Sequence, residues 1–325
     1  MAICINKDGI CFGTYSITPS ADGICISGAF SHQGTEINPT QAQGSVSGYA
    51  SGGDEAPGDV DTIDKFPFSS DTPATDVAEI TVARPMAAGQ SSTISGYTSG
   101  GGPVPVNGTT IDKFPFSSDS PGSDVGDLTV GRYQLAGQSS TISGYASGGF
   151  TPTSNVIDKF PFSSDTNATD VGDLTQARRL VAGQSSRESG YTSGGLVPAD
   201  VDTIDKFPFA ADAPASDVGE LTDARYEVLG QSSTENGYSS GGLNPSVVDT
   251  IDKFPFAADA NATDVGELTG VKAAGAPQSS TASGYFSGGN PRVDTIQKFS
   301  FSVDASASDV GELSGSRRRA AGQQV

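Results

Sequence analysis

The side chains of this sequence that could do chemistry are basic residues, tyrosines and aspartates, which recur together about every 47 residues, the distance from Tyr191 to Tyr238. Arginines grouped around a nucleophilic tyrosine could hydrolyse an acidic sugar, as sialidases do. Grouped carboxylates could instead bind calcium. The repeated tyrosines are Tyr49, Tyr97, Tyr145, Tyr191, Tyr238 and Tyr285. The repeated basic residues are Arg84, Arg132, Arg178, Arg225, Lys272 and Arg317.

The repetition itself argues against a catalytic role for these side chains. A catalytic site combines different residues in different roles, whereas here one residue type occupies the same position in every copy. We therefore expect structural ion pairs between the arginines and repeated carboxylates. The expected carboxylates are Asp64, Asp112, Asp158, Asp205 and Asp252.

A second set of aspartates lies in Ser-Ser-Asp and Ala-Ala-Asp segments. Calcium loops place several oxygen ligands at alternating positions, but here only pairs five residues apart, such as Asp71 and Asp76, recur. Asp and Ser side chains hydrogen-bond to their own backbone in turns, so we expect turns here, with no metal and no other cofactor. These segments contain Asp71, Asp119, Asp165, Asp212 and Asp259.

Cysteine and histidine are confined to the N-terminal part of the chain. His32 is the one histidine, and Cys4, Cys11 and Cys25 are the three cysteines. No Cys-x-x-Cys pair occurs, so a zinc site is not expected. A copper oxidase site is excluded from the repeats because its histidine ligands and its Tyr–Cys pair are missing there. We expect the thiols to be reduced.

Each copy is predicted to fold as four short β-strands. In the third copy these span residues 136–141, 144–149, 157–162 and 169–175. The first is small and polar, as a crowded axis requires. The second ends in a Gly-Gly pair that permits a positive φ, and the third is β-branched and aromatic. No segment has the periodicity of an amphipathic helix, so we expect almost no helix.

The two ends of the repeat array predict a closed ring. The last copy continues into residues 320–325, which match residues 87–92, whereas the first copy has no such segment before Tyr49. A C-terminal strand that completes the first copy would leave no open edge. The prediction is an all-β, six-bladed β-propeller of four-stranded blades over residues 43–325. Residues 1–42 contain two Asp-Gly turn signals and are predicted to form a β-hairpin extension for docking or oligomerisation.

Charge and hydropathy narrow the choice of partners. The net charge is −20 and the pI about 4.2, which disfavours nucleic acid and anionic membrane surfaces because both require clustered Lys and Arg. No apolar run approaches the roughly 18 residues that a membrane helix requires. The first residues lack a basic segment followed by a continuous apolar stretch, so we expect synthesis in the cytoplasm without a signal peptide.

The repeat unit resembles that of the kelch family of β-propellers. The matching elements are a basic residue (Arg84), a tyrosine followed by Gly-Gly (Tyr97 to Gly101), a third strand (111–116) and an outer strand (124–128). The resemblance covers residues 43–325 and implies a propeller fold. The outer-strand tryptophan of the family is missing in every copy. The residues expected to take its packing role are Ile80, Leu128, Leu174, Leu221, Leu268 and Leu313.

The uniform Ile-Asp-Lys-Phe-Pro-Phe segments also resemble the near-identical repeats of bacteriophage virion proteins. This resemblance implies a non-enzymatic binding or structural module of a virion, in a tail, fibre or capsid surface, docked to other virion proteins through residues 1–42. A host-surface glycan or protein is a further expected partner, and a homo-oligomer is an alternative assembly. The alternative functions are a glycan-binding or glycan-active propeller and an intracellular protein-interaction propeller.

One segment of the repeat varies in length and marks the expected contact surface. The step from the tyrosine to the following isoleucine varies from 11 positions (Tyr285 to Ile296) to 14 (Tyr49 to Ile63), whereas the other steps are fixed. Loops that vary on a fixed scaffold often carry binding residues, although drift in unconstrained loops is the alternative. The predicted binding residues are Asp54, Glu55, Val104, Phe150, Leu196, Leu243, Asn244 and Arg292.

Overall fold

A computed structural model describes the backbone of residues 2–6, 9–13, 16–20 and 23–27, and residues 43–102 and 108–325 with their side chains. The chain divides into two compact units, Met1–Asn38 and Pro39–Val325. The boundary predicted from the sequence lies after residue 42.

The N-terminal unit contains two antiparallel hairpins. Strand Ala2–Asn6 pairs with Gly9–Gly13, and strand Ser16–Ser20 pairs with Gly23–Ser27. Two residues separate the strands of each hairpin. The second of them is the aspartate of the Asp-Gly signal, and its glycine, Gly9 or Gly23, is the first residue of the next strand. The pairing therefore agrees with the hairpins expected from those turn signals.

The larger unit is a ring of six four-stranded antiparallel blades, and its described residues contain no helix. The inner strands are Ala321–Gln324 in blade 1, then Ala88–Ser91, Ala136–Ser139, Ala182–Ser185, Leu229–Ser232 and Ala276–Ser279 in blades 2 to 6. The second strands are Ser47–Ser51, Ser95–Ser99, Ser143–Ser147, Ser189–Ser193, Asn236–Ser240 and Ser283–Ser287.

The outer half of each blade is equally regular. The third strands are Thr62–Pro67, Thr110–Pro115, Val156–Pro161, Thr203–Pro208, Thr250–Pro255 and Val293–Ser300. The outer strands are Thr75–Glu79, Ser123–Asp127, Thr169–Asp173, Ser216–Glu220, Thr263–Glu267 and Ser308–Arg318. Short two-residue strands pair within three loops: Asp54–Glu55 with Gly58–Asp59, Leu196–Val197 with Ala199–Asp200, and Leu243–Asn244 with Ser246–Val247.

The C-terminal strand closes the ring, as predicted. Ala321–Gln324 pairs antiparallel with Ser47–Ser51, with Gln323 opposite Tyr49. Blade 1 is therefore built from both ends of the propeller sequence and has the same strand order as the other blades. The predicted six-bladed, all-β propeller is confirmed.

Small residues on the inner strands allow the blades to meet closely at the axis. A Cβ added to Gly137 would lie 2.1 Å from the carbonyl oxygen of Gly89 in the preceding blade, which is too close for any side chain. The adjacent glutamine of each inner strand connects the blades. Gln90 donates from Nε2 to Ser99 Oγ in its own blade at 2.8 Å and to the Tyr145 carbonyl of the next blade at 2.9 Å.

Aromatic side chains fill the space between neighbouring blades. The ring of Tyr145 stacks on Phe209 of the next blade with centroids 4.8 Å apart, and Phe207 packs against both. The isoleucine and leucines expected to pack at the outer strands are buried, at 2–5% exposure, and include Ile80 and Leu128. Burial of such side chains between all blades is the main stabilising contribution that this fold can make.

Candidate functional site

The repeated arginines form buried ion pairs between consecutive blades. Arg132 Nη2 lies 2.9 Å from Asp158 Oδ2, and both side chains are at most 1% exposed. The backbone N–H of Thr129 donates to the same carboxylate, and Arg132 also donates to the Ala146 carbonyl. Burial lowers the pKa of Arg132 from its ordinary value, while attraction to Asp158 opposes that shift. The predicted pairs are all present: Arg84–Asp112, Arg132–Asp158, Arg178–Asp205, Arg225–Asp252 and Arg317–Asp64.

These pairs bury the repeated arginines and place them out of reach of a ligand. Each guanidinium is enclosed by an aspartate and backbone carbonyls of the scaffold, so it could contact a ligand only after a buried ion pair had been broken. The repeated tyrosines are also buried, at 1–3% exposure. Burial raises the pKa of Tyr145 above its ordinary value, although nearby Lys159 acts in the opposite direction. We assign both sets of residues to the structure of the ring.

The junction of blades 5 and 6 departs from this pattern. Lys272 stands in place of arginine and Gln297 in place of aspartate. Gln297 Oε1 still accepts from the Thr269 N–H at 3.0 Å, as the aspartates do at the other junctions. Burial lowers the pKa of Lys272, and attraction to Asp309 and Asp294 opposes that shift.

The variable loops lie on one face of the ring, which we call the loop face. Each loop joins the second strand to the third, so it lies at the end of the blade where the inner strand begins. Isolated β-bridges connect a loop with the segment that precedes the inner strand of the same blade, for example Phe150 with Tyr133 and Leu196 with Arg179. Phe150, Leu196, Leu243 and Asn244 are half-buried on this face. Val104, which was also predicted to bind, lies outside the described residues.

The Phe150 ring is part of an aromatic and cationic group. Tyr133 packs edge-on against it with centroids 5.6 Å apart, and the Arg179 guanidinium lies 4.4 Å from its centroid.

Two of the predicted binding residues, Asp54 and Arg292, bind each other. Asp54 forms an ion pair with Arg292 and another with Arg318, the latter at 3.0 Å. Partial burial would raise the pKa of Asp54, but the hydrogen bonds and attraction of these arginines outweigh it and lower the pKa.

A second element of the loop face was not predicted from the sequence, and we call it the mouth ring. It consists of one residue per blade, two positions before the first residue of the inner strand: Met86, Gln134, Leu180, Glu227, Ala274 and Arg319. Each backbone N–H donates to the carbonyl of the preceding member at 2.6–3.1 Å, so six hydrogen bonds close a circle around the axis. All six residues have φ between +54° and +61°, a conformation that costs non-glycine residues roughly 1–2 kcal/mol each.

The mouth ring opens into a cavity of about 140 Å³ along the axis, lined further in by the inner strands. Glu227 Oε1 accepts a hydrogen bond from Arg319 Nη2 at 2.8 Å, across the small side chain of Ala274, which lies between them in the ring. Among the mouth-ring side chains, two buried polar atoms, Gln134 Oε1 and Arg319 Nε, have no hydrogen-bond partner among the described residues.

The sequence contained a weak signal for this ring. Its members stand two positions after the repeated basic residue, in a segment whose length never changes, and residue type fails to repeat there. Variable length indicates only the loops and does not extend to this segment.

The chain matches no protein-family model and no curated protein. Within the described residues, no group of three or more His, Cys, Asp or Glu side chains could hold a metal ion. A search of the same residues found no helix with the length and apolarity needed to cross a membrane.

Proposed function

We propose that this protein is a kelch-like, non-enzymatic binding and structural module that recognises a partner through its loop face. The observation that carries the proposal is the contrast between interior and mouth. The interior repeats the same tyrosines and ion pairs at nearly every junction, whereas the mouth ring has a different side chain in every blade. A rigid scaffold that varies at one concave end has the form of a recognition site.

We further propose that the module is a bacteriophage virion component, in the tail, fibre or capsid surface. In this proposal residues 1–42 dock it to other virion proteins, and the loop face is free for a host-surface glycan or protein. Two features support this assignment. The repeats have near-identical sequences, and the acidic composition suits a protein assembly better than a nucleic-acid partner.

The test has two parts. Mass spectrometry of purified particles is expected to detect the protein in them. In parallel, residues 196–202 and 243–249 are replaced by Gly-Ser loops of equal length, because these two loops contain their own short strands and the replacements end before the third strands at Thr203 and Thr250. The altered protein is expected to assemble into particles that attach poorly to host cells. Detection in the cytosol only, or unchanged attachment, would contradict the proposal.

A second function, that of a glycan-binding or glycan-active propeller, is favoured by one observation. A glycan site would require unlike residues converging on one end of the channel, and the mouth ring has that arrangement, with Gln134, Glu227 and Arg319 around one cavity. Release of reducing sugar from host glycans by the purified protein would favour the active form, and saturable binding without release would favour the binding form.

A further inference from the structure

The mouth ring has a chemical pattern as well as a position. Polar and apolar side chains alternate around it, with Gln134, Glu227 and Arg319 in blades 3, 5 and 1. Met86, Leu180 and Ala274 stand between them. The arrangement offers three hydrogen-bonding groups about one axis with an apolar surface between each pair.

Glycine would adopt the backbone conformation of the mouth ring at a lower cost in free energy. Glycine adopts a positive φ without the steric cost paid by other residues, yet all six blades carry a side chain at this position. Six strained residues that close a circle and line a cavity point to a role for their side chains, since strain of this kind concentrates at ligand sites.

The charge of the mouth ring does not favour an ionic ligand. Glu227 and Arg319 form an ion pair at 2.8 Å, so the six mouth-ring side chains together carry no net charge. The two unpaired atoms require different hydrogen-bond partners: Gln134 Oε1 requires a donor, and Arg319 Nε requires an acceptor. A hydroxyl group can act as either, so a ligand bearing several hydroxyls could satisfy both atoms.

Resting on the proposed role of the loop face in recognition, we infer that the mouth ring binds a neutral, polyhydroxylated ring, namely one sugar residue of a glycan. Its hydroxyls bond to Gln134, Glu227 and Arg319, and its C–H surface packs on Met86 and Leu180. The cavity of about 140 Å³ has room for several water molecules, and a space of this size suits one sugar ring. Tyr133 and Tyr226 precede two of the polar members in the chain and offer aromatic surface for the adjoining residue of the glycan.

The test uses the full chain and defined probes: the methyl glycosides of glucose, galactose, mannose and N-acetylglucosamine, with N-acetylneuraminic acid as the anionic comparison. Binding is measured by saturation-transfer NMR and by titration calorimetry. At least one neutral glycoside is expected to bind. The double variant Glu227→Ala/Arg319→Ala, which leaves no lone buried charge, is expected to weaken that binding by about tenfold or more, the loss expected for one or two hydrogen bonds to charged groups.

The matched control is Arg187→Gln/Glu188→Gln. It also removes one positive and one negative charge, but at an exposed turn at the other end of the inner strand of blade 4, and it is expected to bind the glycoside as the unaltered chain does. Melting curves of both variants show whether the ring is intact. Failure of all four neutral glycosides, tighter binding of the anionic sugar, or equal binding by the Glu227/Arg319 variant would overturn the inference.

The two proposals fail separately. If no glycoside binds but the loop replacements still abolish host attachment, the sugar inference is wrong and the recognition role stands. If a glycoside binds at the mouth but the protein is absent from particles, the virion assignment is wrong and the sugar site stands.

Discussion

Removing one partner of a buried ion pair between blades should cost far more than removing an exposed one. In Asp158→Asn the charge of Arg132 would stay at 1% exposure without a counter-charge. Such an uncompensated buried charge costs about 3–5 kcal/mol. At roughly 2–4 °C per kcal/mol, the midpoint of thermal unfolding should fall by about 6–20 °C. Arg132→Met strands the carboxylate of Asp158 and should cost a similar amount.

The assay is a double-mutant cycle followed by circular dichroism and tyrosine fluorescence in guanidinium chloride, since the chain has no tryptophan. The double variant Arg132→Met/Asp158→Asn carries no stranded charge and should lose clearly less free energy of unfolding than the sum of the two single variants. The adjacent residue supplies the control. Lys159 pairs with Asp212 at 2.9 Å, but these side chains are 26% and 60% exposed, so Lys159→Met should cost no more than about 1 kcal/mol.

The reasoning would be refuted by additive single variants, or by single losses as small as that of the exposed pair. Either result would mean that water reaches the guanidinium of Arg132 in the folded ring. The same cycle at Arg178 and Asp205, a pair with the same burial and a separation of 3.0 Å, should give a coupling energy of similar size.

Three further predictions concern closure, the glycine pairs and pH. Deleting residues 320–325 removes the inner strand of blade 1, so soluble folded protein should be lost, and a truncated chain that melts like the full one would argue against closure. Gly148→Ala should cost more than about 1 kcal/mol, because φ is +66° and the new Cβ would lie 2.7 Å from the Arg178 carbonyl oxygen; denaturant unfolding measures this, and Gly194→Ala should behave alike. Burial raises the pKa of the repeated tyrosines above 10.0. The unfolded chain therefore loses these protons first, so their contribution to stability is complete below about pH 10 and is lost as the pH rises further. Phenolate absorbance should rise together with unfolding, and ionisation of all tyrosines in a folded ring would contradict the burial.

The sequence predicted the scaffold because each scaffold feature recurs in five or all six copies. Repetition predicted that the arginines would pair with the aspartates, without saying which arginine pairs with which aspartate, and the surplus segment at 320–325 predicted closure. Details governed by local hydrogen bonds were less accurate. The inner strand predicted at 136–141 ends at Ser139, because Ser140 Oγ accepts the Ser143 N–H at 3.0 Å and begins the turn.

The mouth ring could not be predicted in the same way, because it exists only once the ring has closed. Its hydrogen bonds join residues of different blades, such as Met86 and Arg319. A positive φ at Leu180 or Glu227 contradicts the local preference of those residues. The sequence shows only that residue type varies there, which does not distinguish neutral drift from a binding site.

The junction of blades 5 and 6 shows which of the repeated contacts can be replaced without loss of the blade-to-blade packing. At three junctions a Cβ on the first glycine of the Gly-Gly pair would meet Leu135, Val181 or Val228, whereas at Gly241 it would meet Phe286. Phe286 occupies this space because Gly275 stands where those three aliphatic residues stand in blades 3, 4 and 5. The ion pair changes at the same junction to Lys272 and Gln297, yet the bond from the Thr269 N–H is kept. A threonine or serine N–H bonded to a side-chain oxygen is thus common to all six junctions, while the buried ion pair is not. This is consistent with the general finding that buried ion pairs add little net stability although breaking one is costly.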